Sequence, residues 1–124
     1  VFTFQPDVIG RWSLRDENME LVKTALLGVV NEPRGTGRRA RSDTIQIAGK
    51  TGTAQVIALP EEGEAVEEEE VPYKFRDHSW FVAVAPGQQP VIALSIIIEH
   101  GGMGGATAAP IARMILEGYF RART

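Results

Sequence analysis

The residues most able to do chemistry lie together in one string, Ala48-Gly49-Lys50-Thr51-Gly52-Thr53-Ala54-Gln55. It sets a primary amine and two hydroxyls among small residues, inside a stretch that otherwise reads as a β-strand. Glycine weakens a strand interior and marks a place where a ligand approaches the backbone, so Gly52 predicts a surface that something docks against. Lys50 supplies a cation there, and Thr51 and Thr53 supply hydroxyl donors. A sheet edge with these side chains suits strand addition by an extended peptide whose carboxylate the site holds.

A phosphate loop is the first rival, because Gly49-Lys50-Thr51 ends like the Walker pattern. The earlier glycine of that pattern would fall at position 44, which is Thr44, and a helix should follow the lysine where strand residues continue. Nucleic acid fits no better. The arginines Arg34, Arg38, Arg39 and Arg41 share one loop without interleaved aromatics, and they read as a solvated turn. His78 and His100 are the only histidines and have no acid cluster near them in sequence, so no metal site is expected. The chain has no cysteine, which excludes a thiol nucleophile and a disulfide.

The elements that must position the string follow from periodicity. Met19, Val22, Leu26 and Val29 recur at spacings of three and four, with Leu21, Ala25 and Val30 widening the stripe, and predict a helix from about Asp16 to Asn31. Ser13 or Asp16 is placed to cap it, and Pro33 and Gly35 to end it. A strand is expected to begin at Ile45-Gln46-Ile47 and run beyond the glycines to Leu59. The Glu-rich stretch at about 60–72 then reads as a solvated inter-strand loop, because stacked like charges repel and little apolar area is left to bury. His78 to Ala85 and Val91 to Glu99 form two further strands joined at Pro86-Gly87, an antiparallel hairpin. The second is apolar on both alternating faces, so it is expected to be central, with cover on both sides of the sheet. After Gly101 to Gly105, a last helix over Ala106 to Tyr119 places Ile111, Ile115, Gly118 and Tyr119 on one face, with Pro110 tolerated in the first turn. Consecutive strands flanked by helices define an α+β fold: an antiparallel sheet covered by helices on both faces, with only three strands and their flanking helices in this chain.

Size and charge agree with one globular domain or a part of one. There are 124 residues, 44% of them apolar and 23% charged, with a net charge of -3. Seven of the sixteen acids fall within Glu61 to Glu70, so nine acids face thirteen bases elsewhere and the remaining surface is mildly basic. The longest apolar run, Val91 to Ile98, is far short of the roughly 20 residues that span a bilayer, and Val1-Phe2-Thr3-Phe4 lacks a signal-peptide layout. The chain does not begin with Met and is expected to be cut from a longer protein.

Lys50-Thr51-Gly52-Thr53 resembles the third active-site motif of penicillin-binding transpeptidases, the Lys-Thr-Gly box on the edge strand of the sheet. Gly35-Thr36-Gly37 after a helix, His78-Ser79-Trp80-Phe81 opening the next strand, Ala85-Pro86 closing it, and Gly104-Gly105-Ala106 leading to Ala108-Ala109-Pro110 match that family in order. Together they cover most of residues 19 to 120. The set is most similar to the class B, elongation-type members of the penicillin-binding protein 2 group.

The resemblance implies a peptidoglycan D,D-transpeptidase working by serine acyl transfer on stem peptides, with β-lactam antibiotics acylating the same serine. It implies catalytic roles for Lys50, in charge and proton relay, and for Thr53, whose backbone N–H is one oxyanion donor. Thr51, Gly52 and Thr53 would line the substrate, with the Thr53 hydroxyl near its carboxylate. No cofactor or metal is implied. The implied partners are a membrane lipid II polymerase and elongation-complex proteins, with no nucleic acid. The implied setting is the bacterial envelope: a periplasmic domain on a membrane anchor outside this chain.

The sequence departs from the family at two motifs. No serine begins S-x-x-K, since the third residues after Ser13, Ser42, Ser79 and Ser95 are Asp16, Ile45, Val82 and Ile98. None begins S-x-N, since the second residues are Arg15, Thr44, Phe81 and Ile97. Residues 1–124 are therefore expected to be the C-terminal portion of a transpeptidase domain, inactive alone, with nucleophile, general base and relay serine upstream. Two alternatives stay open: a septal transpeptidase or penicillin-sensing hydrolase, and a non-catalytic module of the same fold that binds peptides or partners.

Overall fold

The computed structural model of the chain describes residues 7–56 and 71–123. In order, helix α1 (Asp16–Asn31) is followed by strand β1 (Ala48–Ala54), strand β2 (His78–Ala85), strand β3 (Ile92–Ile98) and helix α2 (Ala108–Arg121). Single 3-10 turns at Arg38–Ala40 and Tyr73–Phe75 punctuate the connections. The three strands form one antiparallel sheet in the order β1-β2-β3. The α+β architecture is thus the one that the sequence pattern implies.

α1 spans the expected residues, but its apolar stripe is used only near its end. Val30 is buried, whereas Leu21 and Val22 are 70% and 52% exposed. Asp16 and Glu17 suit the positive pole of the helix. The cap position is Arg15, which makes no side-chain capping bond, so neither Ser13 nor Asp16 has the expected role.

β1 is shorter than the alternation suggests. It begins at Ala48, because the carbonyls of Gln46 and Ile47 are taken by the N–H of Gly87 (2.7 Å) and the Nδ2 of Asn31 (2.9 Å) and not by a ladder partner. It ends at Ala54, and Val56 turns so that its N–H donates to the Asp77 carboxylate (3.2 Å). The expected continuation through Ile57 to Leu59, and most of the Glu-rich loop, lie outside the described residues.

Two further expectations change. Among the described residues the central strand is β2, not β3: β2 pairs with both neighbours, and β3 pairs with β2 alone. α2 covers one face of the sheet, where Phe81, Ala83 and Ile96 join its Ala108, Ala109, Ala112 and Leu116 in one buried cluster. On the other face Val82 and Ile97 are 45% and 46% exposed, and an apolar groove of about 310 Å³ is lined by Leu26 of α1 with Ala48, Val84 and Ala93. The both-sided hydrophobicity of Val91 to Ile98 thus reflects one face packed on α2 and one uncovered among the described residues.

The packing face of α2 is also rotated from the expected one. The residues that go inside are spaced i, i+4, i+8 from Ala108, because three alanines let the helix approach the sheet closely, while Ile115 stays 46% exposed. Ala112 and Leu116 therefore seat the helix, with Ile111 and Phe120 at the margin. Leu116→Ala is expected to cost about 2–5 kcal/mol in denaturant unfolding of the intact protein, as for other fully buried leucines. Ile115→Ala should cost only about 0.5 kcal/mol. Equal losses would mean that the helix packs on the other stripe.

Candidate active site

The Lys-Thr-Gly string lies along β1, the first strand of the sheet order. Its register against β2 pairs Lys50 with Val82, Thr51 with Phe81, Gly52 with Trp80 and Thr53 with Ser79. Because side chains alternate across a strand, Lys50 and Gly52 belong to the uncovered face and Thr51 and Thr53 to the face shared with α2. The expected site residues are therefore divided between two faces of one strand.

Glycines permit the close approaches along this strand. A Cβ on Gly49 would meet the Phe81 ring and the Val82 carbonyl oxygen, each at 2.7 Å, and one on Gly52 would lie 3.1 Å from the Trp80 Cβ. On the covered face, the turn at Gly104 and Gly105 comes down directly on the backbone. A Cβ on Gly104 would run into the carbonyl oxygens of Trp80 and Gly52, and one on Gly105 into that of Thr36. These contacts explain Gly104 and Gly105 as close packing. Gly102, at φ 69°, is the position in this run where the left-handed backbone itself favours glycine.

Lys50 is exposed, and its ammonium donates to the neighbouring Thr51 carbonyl at 2.7 Å. Among the described residues it has no carboxylate partner, so its charge is available to a ligand on that face. Thr51 and Thr53 instead open onto a cleft of about 540 Å³. The Thr51 hydroxyl is 2.9 Å from that of Thr36, which joins β1 to the loop after α1. That loop is folded back on the helix, with the Gly37 N–H donating to the Val29 carbonyl at 2.9 Å.

Arg38, Arg39 and Arg41 are exposed, in keeping with a solvated turn, and they also line the same cleft. Arg39 reaches across to the Ala106 carbonyl (3.0 Å) and Arg38 back to the Pro33 carbonyl (3.0 Å). The missed signal was spacing: a Gly-Thr-Gly turn folded against β1 carries the basic residues that follow it to the strand. Thr36, which the sequence marks only as part of Gly35-Thr36-Gly37, makes the side-chain bond that links the two segments.

Supports lie behind the strand. Ser79, fully buried opposite Thr53, accepts the N–H of Ala108 at 3.2 Å and so satisfies an otherwise unpaired donor in the first turn of α2. His78 has a structural role: its Nδ1 accepts the His100 N–H at 2.9 Å, pinning the turn after β3 to the start of β2. His100 takes φ 54° in that turn.

Comparison with known proteins gives this arrangement its family. The family described as Penicillin binding protein transpeptidase domain matches residues 1–117. The chain belongs to that family. It is 39% identical over 105 residues to the peptidoglycan D,D-transpeptidase MrdA of Haemophilus influenzae, covering 84% of this chain and 16% of that one. Its fold is similar to that of Pseudomonas aeruginosa PBP2, solved in complex with WCK 5153, with a TM-score of 0.72 and 33% identity over 94% of this chain and 23% of that one. It is also similar to Helicobacter pylori PBP2, solved in complex with MreC, with a TM-score of 0.61 and 28% identity over 84% of this chain and 18% of that one. The chain thus spans about a sixth of the length of its first curated relative.

The Thr36–Thr51 bond is the one contact in the site whose energy a double-mutant cycle isolates. Thr36→Val and Thr51→Val, alone and together, are expected to show a coupling of about 0.5–1.5 kcal/mol in unfolding free energy. Strict additivity would mean that the two hydroxyls do not bond in solution.

Proposed function

We propose that the intact protein is a peptidoglycan D,D-transpeptidase, and that this chain is the portion of its catalytic domain C-terminal to the nucleophile. The observation that carries the reading is Lys50-Thr51-Gly52-Thr53 on the strand at one edge of the described sheet, its ammonium exposed and free of any carboxylate among the described residues. The absence of S-x-x-K and S-x-N patterns from this sequence supports a nucleophile, general base and relay serine in the rest of the parent. This segment alone is therefore inactive.

In the reaction, the serine hydroxyl gives up its proton and adds to the carbonyl of the D-Ala-D-Ala bond. The bond to the terminal D-Ala then breaks as its nitrogen takes a proton, leaving an acyl-enzyme. An amine of a neighbouring stem peptide adds to that ester, loses a proton, and returns the serine as the new amide forms. Lys50 contributes positive charge and a proton-relay contact on the uncovered face of β1. The Thr53 N–H donates to the developing oxyanion, an effect strongest where water is excluded. Thr51, Gly52 and Thr53 hold the peptide, with the Thr53 hydroxyl toward its carboxylate. A β-lactam acylates the same serine because its ring amide stands in for the scissile peptide bond.

The partners that fit are peptidoglycan stem peptides, a membrane lipid II polymerase and elongation-complex proteins, the last supported by the Helicobacter pylori PBP2 complex with MreC. The setting is the bacterial envelope, with a periplasmic domain held by a membrane anchor elsewhere in the parent. Among the described residues no helix is long and apolar enough to cross a membrane.

Intact-mass spectrometry of the parent protein with a β-lactam tests this reading. A stoichiometric covalent mass gain is expected, slowed about 10²–10⁴-fold by Lys50→Ala, the range for removal of a proton-transfer group. The isolated segment should gain no mass. A folded parent that takes no adduct would leave the non-catalytic binding module as the function.

A further inference from the structure

Two imidazoles meet beside the C-terminal end of β1. His78, the first residue of β2, lies opposite Ala54, and its ring stands edge-on to that of His100 with centroids 4.9 Å apart. The two rings are bonded differently. Nδ1 of His78 accepts the backbone N–H of His100 at 2.9 Å, so the proton of that ring is assigned to Nε2. Nδ1 of His100 lies 3.1 Å from the Arg76 carbonyl oxygen, which can only accept, so there the ring donates. Added protons therefore have unequal effects. A charged His100 keeps its bond, whereas a charged His78 turns a donor toward a donor and loses its bond. Two charged rings this close would also repel one another.

The charged groups around the pair do not offset that loss. Asp77, next to His78 in the chain, directs its carboxylate to the Val56 N–H (3.2 Å), and Arg76 directs its guanidinium to the Val71 carbonyl (3.1 Å). Lys74 lies over the Phe75 ring, and the Tyr73 ring packs 5.0 Å from that of His100. Glu99 is exposed, and Ala54, opposite His78 in β1, carries no charge. Among the described residues neither imidazole pairs with a carboxylate.

The His78 bond holds the start of the glycine turn. His100 takes φ 54°, in the left-handed region that a residue with a Cβ occupies only when its surroundings keep it there. Gly102 is tied to the same strand end, its N–H donating to the Asp77 carbonyl at 2.9 Å. Two residues later Gly104 rests on the Gly52 carbonyl oxygen. That oxygen and the Thr53 N–H belong to one planar peptide unit, so a contact on the first sets the direction of the second.

We propose that His78 is a positioning residue and a pH-sensitive latch: its neutral imidazole holds the 100–105 turn against the Gly52–Thr53 peptide, and its protonation releases the turn and misaligns the Thr53 N–H. The inference rests on the acyl-transfer reading, in which that N–H is an oxyanion donor, and adds regulation to it. The latch is closed at the alkaline end of the imidazole range and opens as pH falls.

The test compares the intact protein as wild type, His78→Asn and His78→Ala at pH 8 and pH 5, which bracket imidazole titration. The Asn Oδ1 can accept the His100 N–H but does not titrate, and Ala offers no acceptor. One readout is the rate of β-lactam acylation; the other is hydrogen exchange over residues 100–105, corrected for the intrinsic pH dependence of amide exchange. At pH 8 the Asn variant is expected to keep the wild-type rate within about twofold and the Ala variant to be about fivefold slower, as for loss of one hydrogen bond. Between pH 8 and pH 5 the wild-type rate should fall about fivefold further than that of the Asn variant, whose own fall reports groups elsewhere in the site. Exchange in the turn should quicken with acid in the wild type, stay level in the Asn variant and be fast throughout in the Ala variant. Superimposable pH profiles for wild type and His78→Asn, or equal slowing of both variants at pH 8, overturn the latch. The wild-type exchange comparison stands whatever the folding of the variants, and no quickening there overturns the latch too. A folded parent that takes no adduct at either pH fails the acyl-transfer reading, and the exchange comparison still decides the latch.

Discussion

No side chain can stand between the Gly104–Gly105 turn and the strands beneath it. A Cβ on Gly104 would collide with the carbonyl oxygens of Gly52 and Trp80, and one on Gly105 with that of Thr36. This contact holds β1, β2 and the loop after α1 against one turn, so the geometry of the candidate site depends on it. The same turn opens α2, whose Ala109 N–H donates back to the Gly104 carbonyl at 3.0 Å, while Thr107 Oγ1 donates to the Gly101 carbonyl at 2.7 Å. The Ser79 hydroxyl completes the junction from β2. Sheet, loop and helix are thus joined through backbone atoms and short side chains, which can be placed more accurately than long flexible ones.

That junction also explains why the two sides of β1 differ. On the α2 side the strand is backed, its Thr51 hydroxyl has a fixed partner, and the guanidiniums of Arg38 and Arg39 are anchored to carbonyls. On the Lys50 side Val82 and Ile97 remain open, and Leu26 of α1 lines the apolar groove there. An apolar face of this kind, beside an ammonium with no carboxylate partner among the described residues, is suited to receive more protein, in keeping with a chain that spans about a sixth of the length of its first curated relative. A buried cation without a partner would be costly, and exposure of Lys50 on that face avoids the penalty until a substrate or a neighbouring side chain arrives.

Much of this was legible in the residues themselves. The span of α1, the hairpin of β2 and β3, the α+β class and the family all followed from periodicity and from motifs in order, because amphipathic spacing and glycine placement are local properties of the chain. The reading failed where neighbours in space decided the outcome. β1 begins late because Asn31 and Gly87 capture the carbonyls of Ile47 and Gln46. α2 packs on Ala108, Ala112 and Leu116 because small residues allow close approach, although the bulkier Ile115 and Tyr119 mark a more hydrophobic stripe.

The sequence by itself determined the chemistry on offer: one amine, two hydroxyls and two glycines in a strand, with no serine in the pattern that a nucleophile of this family needs. Strand alternation already separated Lys50 from Thr51 and Thr53. Only the tertiary structure decided what meets each side. Thr36 lies fifteen residues before Thr51 in the chain, and Ala106 lies sixty-seven residues after Arg39, yet both pairs are in hydrogen-bond contact. Such contacts form because the turn at Gly104 and Gly105 docks on the sheet, and docking depends on packing across the whole fold, which no local pattern encodes.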